Sequence, residues 1–174
     1  MIVDPVILTR VTNYIEGYIE NLTKHELNIS MRDVIKTLPL NAEACYFCIL
    51  HEYGETKISH HCNICEYAKI HKQCDTHGST WREIIGAMDI LYEAFELFAH
   101  TANPINTHQI RLLYAHSLTC MKKADSVELL MQIKYSLLKE IIYILPYKSR
   151  FRSHYSLVMA KLSDYHKSGD VYLQ

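Results

Sequence analysis

Apolar residues recur every three or four positions along most of the chain, which is the spacing of one face of a helix. Asp4-Pro5 is a typical helix start, with a capping carboxylate before a proline at the first helical position. The pattern predicts helices over about 5–24, 31–38, 41–48, 80–98, 103–121, 126–145 and 147–167. We therefore expect an all-α fold, a bundle of about six longer helices, as a single domain over residues 1–174.

Two helix starts carry further capping signals. Thr80 and Glu83 fit a capping box, and Ser126 precedes the next apolar run. The helix predicted over 126–145 is apolar on almost every side. Such a helix is central in a bundle or lies in a subunit interface, so self-association through 126–145 is one expectation.

The helical pattern fades between Glu52 and Thr80, where cysteine and histidine are concentrated. Two C-x2-C pairs and one further cysteine lie in or beside this segment: Cys45, Cys48, Cys62, Cys65 and Cys74. Two residues between cysteines allow both sulfurs of a pair to reach one ion, and two pairs complete a tetrahedron. The spacing predicts a metal-binding module over residues 45–77, inserted in the helical domain. The alternative is that these thiols are inert, small buried side chains.

Either of two metal groups would fit these cysteines. Structural zinc would use Cys45, Cys48, Cys62 and Cys65, with Cys74 as a spare or a replacement for one of them. A [4Fe–4S] cluster would use Cys48, Cys62, Cys65 and Cys74. The nearby histidines favour zinc, and His51, His71 or His77 would then substitute for one cysteine.

The order Ala44-Cys45, Cys48, Cys62, Cys65, Cys74 and Trp81 resembles a pattern in small uncharacterised cysteine-rich proteins of phages, archaea and bacteria. In those proteins two C-x-x-C pairs are followed by a fifth cysteine and then an aromatic residue. Many have proline after the second pair, where this chain has Glu66. The resemblance covers roughly forty residues and implies a metal site, with no implied activity.

Composition and charge narrow the function. The net charge of −1 predicts neither a nucleic-acid nor a membrane partner, and no apolar run reaches the ~18 residues that span a bilayer. The N-terminus has no basic segment typical of an export signal, so we expect a cytoplasmic protein, of a prokaryote or an infected host cell. In that compartment six cysteines indicate metal ligands rather than disulfides.

No catalytic constellation is recognisable. The metalloprotease, deaminase, P-loop and dinucleotide-binding patterns are missing from the sequence, and a thiolate-filled zinc site has no position for water. We therefore expect a non-enzymatic regulatory or interaction module with a protein partner.

Basic and aromatic residues alternate in the segment 147–155, which predicts an alternative function in nucleic-acid binding. Lys148, Arg150 and Arg152 would contact phosphates, and the aromatic rings would stack on bases. The competing interpretation is a solvated helix face whose aromatic residues point into the core.

Overall fold

The computed structural model of the protein describes residues 1–24, 28–29, 31–36, 38–51, 64–74, 76–98 and 105–169. Eight α-helices occur in these residues: α1 (Pro5–Lys24), α2 (Met31–Lys36), α3 (Tyr46–Leu50), α4 (Glu66–His71), α5 (Thr80–Phe98), α6 (Thr107–Met121), α7 (Val127–Ile144) and α8 (Arg152–Gly169). A 3-10 turn covers Ala42–Ala44, and two short strands, β1 (Asn28–Ile29) and β2 (Ile105–Asn106), pair antiparallel. The all-α prediction is confirmed.

The five long helices pack around one apolar core. Helix α1 lies against α6, α6 against α7, α7 against α8, and α8 against α5. Aromatic rings fill much of the space between them, and Phe95 of α5 contacts Phe151 edge-on with ring centroids 5.0 Å apart. None of the described helices combines the length and apolar character needed to cross a bilayer.

The predicted caps of α1 and α7 are observed, whereas α6 begins at Thr107 and α8 at Arg152, later than their predicted starts at about 103 and 147. The Asp4 carboxylate accepts from the Val6 amide at 2.7 Å, and the Ser126 hydroxyl accepts from the Leu129 amide at 3.3 Å. The predicted capping role of Thr80 is wrong. Ser79 caps α5 instead, because its hydroxyl accepts from the Arg82 amide at 3.1 Å and Thr80 is already helical.

Helix α7 is central in the bundle, as the apolar sequence predicted. Its buried residues face α6 and α8, which accounts for apolar positions on most of its circumference. Leu129 and Tyr143 are the large hydrophobic side chains of α7 that are exposed. Self-association through 126–145 stays a prediction, and these two residues are the apolar contacts that α7 offers it.

The helix predicted from Asn41 through Cys48 is broken in the structure. Cys45 has an extended backbone (φ −102°, ψ 118°) between the 3-10 turn and α3. The Asn41 side chain makes no capping hydrogen bond to this segment, and its Nδ2 donates to the hydroxyls of Tyr14 and Tyr18 at 2.6 and 3.2 Å. The break turns Cys45 and Cys48 toward the side of α7.

Candidate metal centre

Four of the predicted ligands come together at one cavity. Cys45, Cys48, Cys65 and Cys74 all line a space of about 390 Å³ between the short helices and α7. Cys45 lies in the break before α3, Cys48 in α3, Cys65 just before α4, and Cys74 in the turn before α5. Three chain segments that are well separated in sequence therefore contribute sulfur atoms to the same cavity.

The first pair has the electrostatics of a thiol beside a thiolate. The Cys48 thiol hydrogen-bonds to the Cys45 sulfur, which lowers the pKa of Cys45 to about 6 although burial acts to raise it. The same hydrogen bond raises the pKa of Cys48, and so do burial and the neighbouring Cys45, Cys74 and Cys65. Burial likewise raises the pKa of Cys65. The cavity thus holds one readily formed thiolate among sulfurs that repel further negative charge.

A lysine that sequence analysis missed completes this cavity. Lys134 of α7 is only 4% exposed, lines the cavity, and donates from Nζ to the Ala44 carbonyl at 2.6 Å. Burial lowers the pKa of Lys134, whereas Cys45 and Cys48 act to raise it. The sequence could have indicated this lysine, because a charged residue at position 134 lies on the buried face of an otherwise apolar helix, where lysine is rare.

Aromatic side chains close the cavity. The Trp81 indole donates to the Leu40 carbonyl at 2.8 Å, which fixes the start of α5 against the segment before the 3-10 turn. Tyr67 of α4 and Tyr135 of α7 also line the cavity, and both are buried. The four cysteines beside these rings are half-buried, so charges on them interact more strongly than in bulk water.

The turn that carries Cys74 is tied to α5 by a cap. The Ser79 hydroxyl donates to the Cys74 carbonyl at 3.0 Å while it accepts from the Arg82 amide. Two left-handed residues shape this turn, Lys72 (φ 62°) and Gly78 (φ 77°). The positive φ of Gly78 favours glycine there, whereas the one close neighbour of an added Cβ, Lys72 Nζ at 3.3 Å, ends a flexible, exposed side chain that can move aside.

The three histidines named as substitute ligands lie elsewhere. His51 Nε2 is 2.8 Å from Glu66 Oε2. His71 is buried, stacks on Tyr67 at 4.5 Å, and lies with Nδ1 3.2 Å from the Thr80 hydroxyl. His77 is exposed. None of the three is among the described residues that line the cavity.

The donor set is chemically suited to a soft metal. Four sulfurs, one of them with a depressed pKa, are the ligands that zinc and iron–sulfur clusters take. Among the described residues, however, no three His, Cys, Asp or Glu side chains are grouped closely enough to hold one ion. Cys62, the fifth cysteine of the motif, lies outside the described residues. So does every residue of the predicted module from 52 to 63.

The segment 147–155 separates into exposed cations and buried rings. Lys148, Arg150 and Arg152 are exposed, whereas Phe151 and Tyr155 are buried and pack on Phe95. The helix begins only at Arg152, so Lys148 belongs to the preceding turn. The two buried rings offer no face for base stacking, and phosphate contact by the cations is what this surface retains.

Comparison with known proteins adds no relative to this picture. No family model, no curated protein and no solved structure matches the chain. The fold and the cysteine cavity therefore carry the functional argument.

Proposed function

We propose that this protein is a non-enzymatic interaction module whose Cys-lined cavity holds a structural zinc ion. The observation that supports the proposal is the meeting of Cys45, Cys48, Cys65 and Cys74 at one cavity. Inert buried thiols have no reason to gather from three chain segments, whereas metal ligands must. Cys62 would join them from the segment that precedes Cys65.

A zinc ion here would be structural, because thiolates would fill its coordination shell. No position would be left for a water molecule that reacts with a substrate. The cysteines flank the segment 52–63 on both sides, so a metal bound to them would fix the ends of that segment. We propose that the segment between the ligands presents a surface to a protein partner, while the apolar bundle holds the fold.

A [4Fe–4S] cluster is the second candidate, and the cavity size favours it. A space of about 390 Å³ is large for a single ion. The four iron and four sulfide atoms of a cluster lie between its ligands, so the ligands stand farther apart than those of one zinc ion.

Metal analysis of the natively purified protein tests both candidates. Zinc at about one equivalent per chain, without colour, supports the zinc site. Iron and sulfide, with a brown colour and absorbance near ~400 nm in anaerobically prepared protein, support the cluster instead. Protein that retains no metal and takes up neither zinc nor iron under reducing conditions would refute the metal centre.

Cysteine variants identify the ligands. We expect Cys48→Ser with Cys65→Ser to release the metal, because both candidate sites use these two sulfurs. Cys62→Ser alone should also weaken metal binding, and that result would place Cys62 in the ligand set. Cys120→Ser is the matched control, since Cys120 lies half-buried on α6 outside the cavity. Equal metal content in the variants and the control would reject these ligands.

The structural role has a separate readout. We expect the metal-free cysteine variant to retain its far-UV helical signal, because the apolar core of the long helices does not include the metal. Limited proteolysis should then cleave between residues 52 and 63 faster than in the metal-loaded protein. Loss of the whole helical signal, or an unchanged cleavage rate, would contradict a metal that orders this segment alone.

A further inference from the structure

We propose that Lys134 is a built-in countercharge for the metal centre, a positioning residue that lets its thiolates bind metal in a buried cavity. This inference rests on the proposed metal site. It assigns a role in metal affinity to a residue that lies 60 positions beyond the last cysteine of the motif, on a different helix. The juxtaposition of its ammonium with the cysteines carries the argument.

The burial of Lys134 requires an explanation. Lysine is among the residues that are rarely buried, since removing an ammonium from water costs several kcal/mol unless it is paired. Lys134 is 4% exposed, in the centre of a bundle whose neighbouring positions are apolar. Leucine or methionine would fill that position without this cost, so the charge itself has a use.

Among the described residues, the Lys134 ammonium interacts with one backbone carbonyl and with cysteine sulfurs. The Ala44 carbonyl accepts the hydrogen bond from Nζ at 2.6 Å, and no ion pair with a carboxylate involves Lys134 within the described residues. The ionisable groups that act on its ammonium are Cys45 and Cys48. The Glu43 carboxylate also lines the cavity, but this side chain is exposed and forms no ion pair with Lys134 in the described part of the chain. The negative charge that acts on the ammonium is therefore the thiolate charge of Cys45 and Cys48.

Metal binding creates more of that charge. Four thiolates around one zinc ion carry a net charge of about −2, and a buried site must compensate it. A fixed ammonium beside the first C-x2-C pair removes one unit of that charge. The hydrogen bond to Ala44 holds the ammonium next to Cys45, because Ala44 and Cys45 are consecutive.

The alternative role for Lys134 is a strut that ties α7 to the 3-10 turn through Ala44. The two roles predict different effects. A strut stabilises the protein whether or not metal is bound. A countercharge costs stability in the metal-free protein and raises the affinity for metal, since a buried charge without its partner is unfavourable.

Lys134→Met tests the countercharge, because methionine has a similar length and no charge. We expect the metal-free variant to unfold at the same urea concentration as wild type or a higher one. We expect its affinity for Zn²⁺, measured by competition with a chromophoric chelator, to fall about 10–100-fold, as is typical when an outer partner of a metal site is removed. Lys134→Gln keeps a donor for the carbonyl and should lose affinity to a similar degree.

The controls separate failure of this inference from failure of the metal site. Wild-type protein that binds no Zn²⁺ or iron refutes the site itself. Wild-type protein that binds metal, with Lys134→Met and Lys134→Gln at unchanged affinity, refutes the countercharge alone. So does a variant whose metal-free form is strongly destabilised while its affinity is unaltered. Lys139→Met, on the same helix but outside the cavity, should leave the affinity within about threefold.

Discussion

His51 and Glu66 form a hydrogen bond between the described segments that carry Cys48 and Cys65, with Nε2 and Oε2 2.8 Å apart. His51 follows α3, which carries Cys48, and Glu66 follows Cys65 directly. The pair therefore fixes the distance between the two cysteine-bearing segments.

The change Glu66→Gln should weaken the contact between the two cysteine-bearing segments. Burial raises the pKa of Glu66, but the hydrogen bond from His51 and nearby positive charge outweigh it, so the net pKa is lowered. Because the folded-state pKa is depressed, the pair stabilises the protein above the ordinary pKa of the carboxyl, and this contribution is lost as pH falls through the lowered value. A partly exposed pair contributes up to about 1 kcal/mol.

We expect Glu66→Gln to lower the free energy of unfolding at neutral pH by that amount and to speed loss of metal to a chelator. Urea unfolding and chelator competition measure the two effects. Glu93→Gln, an exposed change on α5, is the matched control. A variant that matches this control in both measurements would show that His51 and Glu66 do not position the cysteines.

Ser79 offers a second test, because one hydroxyl caps α5 and holds the Cys74 turn. The side chain is fully buried, accepts from the Arg82 amide and donates to the Cys74 carbonyl. Ser79→Ala removes both hydrogen bonds and should cost about 1–2 kcal/mol of unfolding free energy. Ser156→Ala, an exposed change within α8, should cost less than about 0.5 kcal/mol.

The metal readout of Ser79→Ala distinguishes candidate ligand sets. If Cys74 is a ligand, the variant should also bind metal more weakly, since its turn loses an anchor. If the ligands are Cys45, Cys48, Cys62 and Cys65, stability should fall with little change in affinity. Identical urea midpoints for the Ser79 and Ser156 variants would contradict the capping role itself.

The long helices were predictable because local signals agree with the packing. The start of α1 at Pro5 and that of α7 at Val127 follow from one capping residue and an apolar stripe each. The start of α5 was assigned to the wrong cap, because Ser79 and Thr80 are adjacent residues of similar capping strength. The tertiary contact of Ser79 with Cys74 selects between them, and sequence spacing does not contain it.

The candidate site was predictable in its residue types and less so in its surroundings. The spacing of Cys45, Cys48, Cys62, Cys65 and Cys74 predicted a shared site. Cys62 lies outside the described residues, and the other four line one cavity. The break at Cys45 was missed, since the segment has helical composition and the bonds of Asn41 to α1 are nonlocal. Lys134 was missed for the same reason, because its partner Ala44 is 90 residues away.

Buried His71 should make stability depend on pH. Burial lowers the pKa of His71 from an ordinary value of 6.5 to about 4. The unfolded chain therefore binds a proton that the folded chain excludes between these values, so stability falls as pH drops from about 6.5 toward 4. We expect His71→Phe to retain more of its neutral-pH stability at pH ~5 than wild type, by about 1–2 kcal/mol.

Urea unfolding of metal-free protein at several pH values measures this difference. Phenylalanine preserves the stacking on Tyr67 but loses the contact with Thr80, so the variant is compared with its own value at neutral pH. His154→Phe is the control, since His154 lies at the surface edge of α8 in the basic segment. Parallel pH curves for wild type and His71→Phe would contradict a neutral, buried His71.

The exposed cations of the segment 147–155 test the nucleic-acid alternative. Lys148 Nζ lies 3.5 Å from the Tyr143 ring centroid, and Arg150 lies 4.0 Å over the Phe98 ring, so both cations are held in place. If they contact phosphates, binding of a single-stranded oligonucleotide should weaken steeply with salt. Replacing Lys148, Arg150 and Arg152 together by Gln should then reduce the slope of log K against log salt by about 2.

We expect this binding to depend little on base identity, because Phe151 and Tyr155 are buried and cannot stack on bases, and Lys148 already lies over the exposed Tyr143 ring. Arg10, Arg82 and Lys123 are exposed cations on other parts of the molecule, and their triple Gln variant carries the same change in net charge. Equal salt slopes for the two triple variants would show that general charge, rather than the 147–155 surface, attracts the oligonucleotide. No binding by wild type at low salt would remove nucleic acid as a partner, and the protein-interaction proposal would then stand alone.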